Sequence, residues 1–152
     1  MKGLGNHGNT CYFNTALQCL LNIPALSNYF IRHPYTGDCD FTKAYGDLVR
    51  TYWTRGKGDI AVTKVLKLFR ETFPRFKSEE QNDVQEAILC IIDILERSRP
   101  EIKHWFYGKK TQETVWPGGK SSSQEDFSVH LITSEGKDMG KMLEKSTDWN
   151  TL

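Results

Sequence analysis

A cysteine stands where a helix is expected to begin. Thr10-Cys11 runs without a break into Tyr12-Phe13-Asn14-Thr15-Ala16-Leu17-Gln18-Cys19-Leu20-Leu21, in which Phe13, Ala16, Leu17, Leu20 and Leu21 share one helical face. Unpaired backbone N–H groups at a helix N-terminus stabilise an anion, so this position favours the thiolate and makes Cys11 a candidate nucleophile. Thr10 is expected as the N-cap, and Pro24 stops the pattern. Upstream, Gly3, Gly5 and Gly8 permit a tight loop in which the backbone can pass close to an extended peptide. Asn6 sits in that loop. Hydrolysis through a thioester needs donors aimed at the developing oxyanion, and the Cys11 backbone N–H and the Asn6 amide are the two supplied here. Loss of one such donor costs on the order of 10²–10³ in rate.

The stretch Gly3-Leu4-x-Asn6-x-Gly8-Asn9-Thr10-Cys11-Tyr12-x-Asn14-x-x-Leu17-Gln18-x-Leu20 resembles the cysteine box of the ubiquitin-specific proteases, a family of deubiquitinating thiol hydrolases. Gln81-Asn82-Asp83-Val84-Gln85-Glu86-Ala87-Ile88-Leu89 is similar to the family's second box, Gln-x-Asp-Ala/Val-x-Glu. It departs at Ala87-Ile88, where relatives usually carry Phe-Leu or Leu. The resemblance extends from Gly3 to about Leu131. It implies an α+β, papain-like cysteine protease fold: one partial catalytic domain with a helical thumb over residues 1–100 and strands of a partial fingers region over 101–152. It also implies roles. Cys11 attacks the carbonyl after the terminal glycine of ubiquitin, Asn6 holds the oxyanion, and Asp83 and Glu86 line the channel for ubiquitin's C-terminal tail, meeting its arginines in charge-assisted bonds. Without the resemblance, Asp83 and Glu86 read as a solvated helix face, and Asn14 and Gln18 as the polar side of the first helix, Gln18 with a structural role. Ubiquitin or ubiquitinated proteins are the implied partners, and no cofactor is implied.

A cysteine nucleophile of this kind also needs a histidine to take its proton and deliver one to the leaving amine. In the family that histidine lies in a Gly-His-Tyr type box far beyond the second box, followed by Asp or Asn; neither is present in these 152 residues. A partial or truncated chain, inactive or nearly so by itself, is therefore expected. The alternative is a pseudoenzyme that binds ubiquitin or a ubiquitin-like modifier without cleaving it. His7, in the same loop as Asn6, is weighed as a substitute base against a plain loop residue. His33 and His104 are expected at the surface and His130 on an exposed strand position. Many relatives carry zinc-binding Cys-x-x-Cys pairs in the fingers. Here Trp116-Pro117-Gly118-Gly119 stands instead and no cysteine follows Cys90, so no metal site is expected. Cys19 and Cys90 read as small core residues and Cys39 as an exposed loop thiol.

The elements that must position these groups follow from periodicity. Ile23 to Phe30 reads as a short helix or loop; Phe41, Ala44, Tyr45, Leu48, Val49 and Tyr52 mark a second amphipathic helix. Gly56-Lys57-Gly58 breaks it, and Asp59 is expected to cap a third helix lined by Val62, Val65, Leu66, Phe69 and Phe73 up to Pro74. Ser78 with Gln81 forms a capping box ahead of the longest helix, whose apolar positions are Val84, Ile88, Ile91, Ile92 and Leu95. After Pro100 the texture predicts antiparallel hairpins, with Ser121-Ser122-Ser123 in a turn and Phe127, Val129 and Leu131 on a half-buried strand; one short helix falls within Asp138 to Leu152. With 20 Lys+Arg against 19 Asp+Glu the net charge is +1, which gives no basis for nucleic-acid or anionic-membrane binding. No apolar run approaches the roughly 20 residues that span a bilayer. Residues 1–12 lack an apolar signal core, and the four cysteines form no C-x-x-C pair. The expectation is a soluble intracellular protein, cytoplasmic or nuclear.

Overall fold

Aromatic packing beneath helix α1 (Cys11–Leu21) organises the first compact unit, residues 1–105, of the computed structural model. The structure describes residues 2–6, 8–54, 60–78, 80–130, 132 and 138–148. Helix α1 buries Tyr12, Phe13, Ala16, Leu17, Leu20 and Leu21. It packs against α2 (Pro24–Arg32), which starts on the proline that ends the α1 pattern, and against α5 (Val84–Ser98). Helix α3 (Asp40–Thr54) packs on α2, on α5 and on α4 (Thr63–Thr72), burying Phe41, Ala44, Tyr45, Leu48, Val49 and Tyr52. Phe69 of α4 is fully buried and has four ring neighbours: Phe13 at 4.9 Å, Phe41 at 6.4 Å, Phe73 at 5.4 Å and Phe76 at 4.8 Å. Tyr12 stacks on Phe76 at 5.7 Å, joining α1 to the 3-10 turn Pro74–Lys77.

Arg99, just past α5, fastens the far corner of this unit. Its guanidinium donates to the carbonyls of His33 and Pro34, each at 3.2 Å, and lies over the rings of Tyr29 and Tyr35. The Tyr29 hydroxyl donates to Glu101, in the 3-10 turn Pro100–Ile102. Burial, with that carboxylate beside it, pushes the Tyr29 phenol up to about 12. The Tyr29 hydrogen bond in turn holds the Glu101 carboxyl below its ordinary range. The short helix α6 (Lys103–Phe106) follows.

The second unit, residues 106–152, holds a two-stranded antiparallel ribbon. Strand β1 (Gly108–Trp116) pairs with β2 (Gly119–Phe127) in a register running from Gly108↔Phe127 to Trp116↔Gly119, closed by Pro117-Gly118. Glycine allows a close aromatic approach at both ends. A Cβ at Gly108 would come to 3.0 Å of the Phe127 ring, and one at Gly119 to 3.0 Å of the Trp116 indole, so each aromatic lies across the bare backbone of its partner. Most ribbon side chains are exposed, and two cross-strand ion pairs join the strands, Lys110–Glu125 at 3.6 Å and Lys120–Glu113 at 2.7 Å. Helix α7 (Met139–Ser146) is capped by Asp138, which accepts from the Gly140 and Lys141 N–H groups at 2.9 and 3.3 Å.

The structure corrects several sequence expectations. The long helix is capped by Asp83, not Ser78: Asp83 Oδ1 accepts the Glu86 N–H at 2.9 Å, an Asp-x-x-Glu arrangement in place of the Ser-x-x-Gln one. Helix α4 begins only at Thr63, with Val62 in the N-cap position; Asp59 and the Gly56-Lys57-Gly58 break lie outside the described residues. The polar run Ser121-Ser122-Ser123 is mid-strand, and the strand stops at Phe127 without reaching Val129, because the ribbon buries no face that would need alternation; Leu131 lies outside the described residues. His130 follows the strand, half-buried, with Nε2 at 2.8 Å from the Ser146 hydroxyl.

Phe69→Ala is expected to destabilise the first unit by about 3–5 kcal/mol, read as a lower urea midpoint. Because the folded chain keeps the Tyr29 proton above pH 10 where the unfolded chain releases it, stability is insensitive to Tyr29 below pH 10 and falls between pH 10 and about 12. Tyr29→Phe should flatten that alkaline fall and remove the latest phase of tyrosinate absorbance in that window.

Candidate active site at the tip of the first helix

Two amides one helical turn apart, Asn14 and Gln18, fix the chain that leads into α1. Asn14 Nδ2 donates to the Gly5 carbonyl at 3.1 Å and Gln18 Nε2 to the Lys2 carbonyl at 2.6 Å. Four-residue spacing puts both on one face of the helix. The orientation of the Gln18 amide is set in turn by its Oε1, which accepts from the Tyr52 hydroxyl at 3.0 Å and Asn22 Nδ2 at 3.1 Å. Tyr52, 2% exposed, accepts the Lys2 N–H at 3.2 Å. On the other edge of the segment, the Gly5 N–H donates to the Ile60 carbonyl at 3.1 Å and the Ile60 N–H to the Gly3 carbonyl at 3.2 Å, a parallel bridge centred on Leu4 and Ile60. The structural role expected for Gln18 is observed, and Asn14 shares it.

That anchored segment delivers Asn6 to the start of the helix. Asn6 is exposed, and its Oδ1 accepts from the hydroxyl of Thr10 at 2.9 Å. Gly8, between them, has φ +68°, the left-handed region that glycine enters without strain. Cys11 is the first residue of α1 and is exposed. Thr10 occupies the N-cap position as expected but makes no capping bond; its buried hydroxyl goes to Asn6. The result is an open thiol at a helix N-terminus, with a side-chain amide tied to the adjacent residue. His7 lies outside the described residues. His33 and His104 are exposed, as expected, and neither is hydrogen-bonded to Cys11.

The second box sits at the start of α5, the helix packed against α1. Both of its carboxylates have partners within the chain. Asp83 caps α5 through one oxygen, and Glu86 pairs with Arg75 Nε at 2.9 Å. Arg75 also points a guanidinium nitrogen at the Cys90 sulfur, 3.0 Å away, and lies 5.2 Å over the Phe76 ring. Sequence reasoning missed Arg75, whose one signal is its place in Pro74-Arg75-Phe76, a turn leading towards the box. Both side chains of the pair are about half exposed, 55% and 46%, so the bond contributes at most about 1 kcal/mol and can be exchanged for another cation.

The other cysteines divide differently from expectation. Cys90 is buried, as expected, and burial raises its thiol. Cys19 is exposed, because it continues the Cys11, Thr15, Cys19 stripe opposite the buried face of α1. Cys39 is half-buried; burial raises its thiol, but hydrogen bonds to Ser98 and Thr42 outweigh that and hold it below the ordinary value. Among the described residues no group of three or more His, Cys, Asp or Glu is placed to hold a metal ion. None of the described helices is long and apolar enough to cross a membrane.

A family model described as ubiquitin carboxyl-terminal hydrolase matches residues 2–144. The chain belongs to that family. Among curated ubiquitin carboxyl-terminal hydrolases, number 9 of Arabidopsis thaliana is 31% identical over 112 residues, 68% of this chain and 12% of the relative. Number 15 of Homo sapiens is 32% identical over 112 residues, 66% of this chain and 11% of the relative. The chain thus spans about an eighth or less of the length of these hydrolases. Of solved structures, the SAGA Ubp8/Sgf11/Sus1/Sgf73 DUB module bound to ubiquitin aldehyde superposes with a TM-score of 0.76 at 20% identity, covering 95% of this chain and 38% of that one. The likeness shows the α+β fold of this hydrolase family.

Alkylation mapped by mass spectrometry is expected to modify Cys11 and Cys19 of the native chain first, and Cys90 only once denaturant opens the core.

Proposed function

We propose that this chain carries the nucleophile, the oxyanion donors and part of the ubiquitin-binding surface of a deubiquitinating cysteine protease. The observation that carries the reading is the exposed Cys11 thiol at the first residue of α1, with Asn6 tied to its neighbour Thr10. In this reading the Cys11 sulfur attacks the carbonyl carbon of ubiquitin's terminal glycine, forming the C–S bond while the C=O electrons move onto oxygen. The Asn6 amide and the Cys11 backbone N–H meet that oxyanion. Collapse expels the substrate lysine amine, which takes a proton from a general acid, and water then hydrolyses the thioester. The proton carrier is a histidine in the family's chemistry; neither His33 nor His104, the described histidines of the first unit, is bonded to Cys11, so this step is assigned to no residue here.

Residues 1–100 act as the helical thumb and 101–152 as part of the fingers. Asp83 and Glu86 meet the arginines of the ubiquitin tail, and for Glu86 this is an exchange of cations, because a tail guanidinium replaces Arg75 at a half-exposed carboxylate. The solved relatives bound to ubiquitin aldehyde and to monoubiquitin support ubiquitin as the partner. With ubiquitin as the partner, the proposed site of action is intracellular, cytoplasmic or nuclear. In a second reading, which no hydrogen bond from His33 or His104 to Cys11 opposes, the chain binds ubiquitin or a ubiquitin-like modifier without cleaving it.

Ubiquitin carrying a C-terminal vinyl sulfone separates the two. The protease reading expects a covalent adduct of one ubiquitin per chain that disappears in Cys11→Ala and persists in Cys19→Ala. Reversible binding without an adduct supports the binding module, and an adduct on Cys19 overturns the assignment of the nucleophile.

A further inference from the structure

We infer that Thr10 is a positioning residue for the oxyanion site: its buried hydroxyl orients the Asn6 amide so that the NH2 end is the one presented to the substrate. This rests on the reading of Cys11 and Asn6 above and adds a residue to which no role has been given. The two ends of an asparagine amide are nearly the same size, and only the NH2 end can donate to an oxyanion. Something must therefore choose between them. The Thr10 hydroxyl makes that choice by donating to Oδ1 at 2.9 Å: a flipped amide would have to donate to the hydroxyl oxygen instead, and the buried hydroxyl would give up Oδ1 as its acceptor.

The backbone explains why this threonine performs the task and does not cap its helix. Capping residues are typically extended, which lets the side-chain oxygen reach forward to the second or third N–H. Thr10 has φ −97° and ψ 14°, and its hydroxyl reaches back to Asn6, with no side-chain capping bond. At 0% exposure no solvent competes for that hydroxyl. The same bond has a second effect, since it turns the Thr10 hydroxyl away from the first-turn N–H groups of α1, the end of the helix that favours a negative oxygen or sulfur beside Cys11.

Ubiquitin aldehyde reads this directly. Cys11 S–H adds across its C=O to give a hemithioacetal: the S–C bond forms, the π bond breaks, and the thiol proton ends on the oxygen that the site holds. The quantity measured is the gain in affinity of ubiquitin aldehyde over ubiquitin with its ordinary carboxylate terminus. Thr10→Val, which keeps the shape and removes the donor, is expected to reduce that gain roughly tenfold, with binding of ordinary ubiquitin unchanged. Thr10→Ser restores it, and Asn6→Ala loses more, on the order of 10²-fold. Thr10→Val on top of Asn6→Ala costs nothing further, as expected of a residue that acts only through Asn6. A wild-type chain with no aldehyde gain defeats the underlying reading of Cys11. A wild-type gain that Thr10→Val leaves intact, or that Thr10→Val lowers equally with and without Asn6, overturns the role of Thr10. If Thr10→Val does not fold, the wild-type chain still decides: the Asn6 side-chain NH2 resonances must shift on capture of the aldehyde, and unmoved resonances overturn the inference.

Discussion

The carbonyls of Lys2 and Gly5 are the constraint on which the site depends. A chain segment laid along a helix must find partners for its backbone groups, and leaving a buried carbonyl without one costs about 1–3 kcal/mol. Asn14 and Gln18 meet both carbonyls from the side of α1, while Ile60 pairs with Gly3 and Gly5 on the other edge. The segment has little freedom left, and Asn6 follows immediately. A catalytic loop gains its accuracy from such supports, because the donor must stay within tenths of an ångström of where charge develops. Here the supports are amides of the helix that also bears Cys11, the proposed nucleophile. Loop and thiol are therefore held by one helix, and Tyr52 of α3 ties the Gln18 end of the arrangement to the core.

Beneath this polar layer the rings of Phe13, Phe69 and Phe76 hold α1, α4 and the Pro74–Lys77 turn together. The same turn carries Arg75, whose guanidinium lies on Phe76 and reaches Glu86 on α5. The second box is thus tied through Arg75 and Phe76 to Tyr12, the residue after Cys11. Charge on α5 and geometry at the tip of α1 rest on a single aromatic cluster.

Much of this was legible in the sequence, and the exceptions have physical causes. Cys11 at a helix start followed by an apolar face fixed both the element and its boundary, and the faces of α3 and α4 could be read from Phe41 to Tyr52 and from Val65 to Phe69 because each helix buries one stripe. The four-residue step Cys11, Thr15, Cys19 already marked the outer stripe of α1, so the exposure of Cys19 was readable and was outweighed by the usual burial of cysteine. The capping bond of Asp83 is hidden in the sequence because Ser78-x-x-Gln81 and Asp83-x-x-Glu86 both have the form of a capping box. The ribbon Gly108–Phe127 left almost no apolar signal, since strands that bury neither face need no alternation; its register is set by Pro117-Gly118 and by two aromatics lying over glycines. The clamp by Asn14 and Gln18 was invisible because a sequence shows that an amide is polar and not which carbonyl it will meet.

Hydrogen–deuterium exchange at the Gly5 and Ile60 amides tests the central claim, that the segment carrying Asn6 is held against α1. Both amides are expected to be protected in the wild-type chain and to exchange much faster in an Asn14→Ala, Gln18→Ala double variant whose helices remain folded. Exchange of both amides at the rate of an unstructured peptide in the wild-type chain would contradict it.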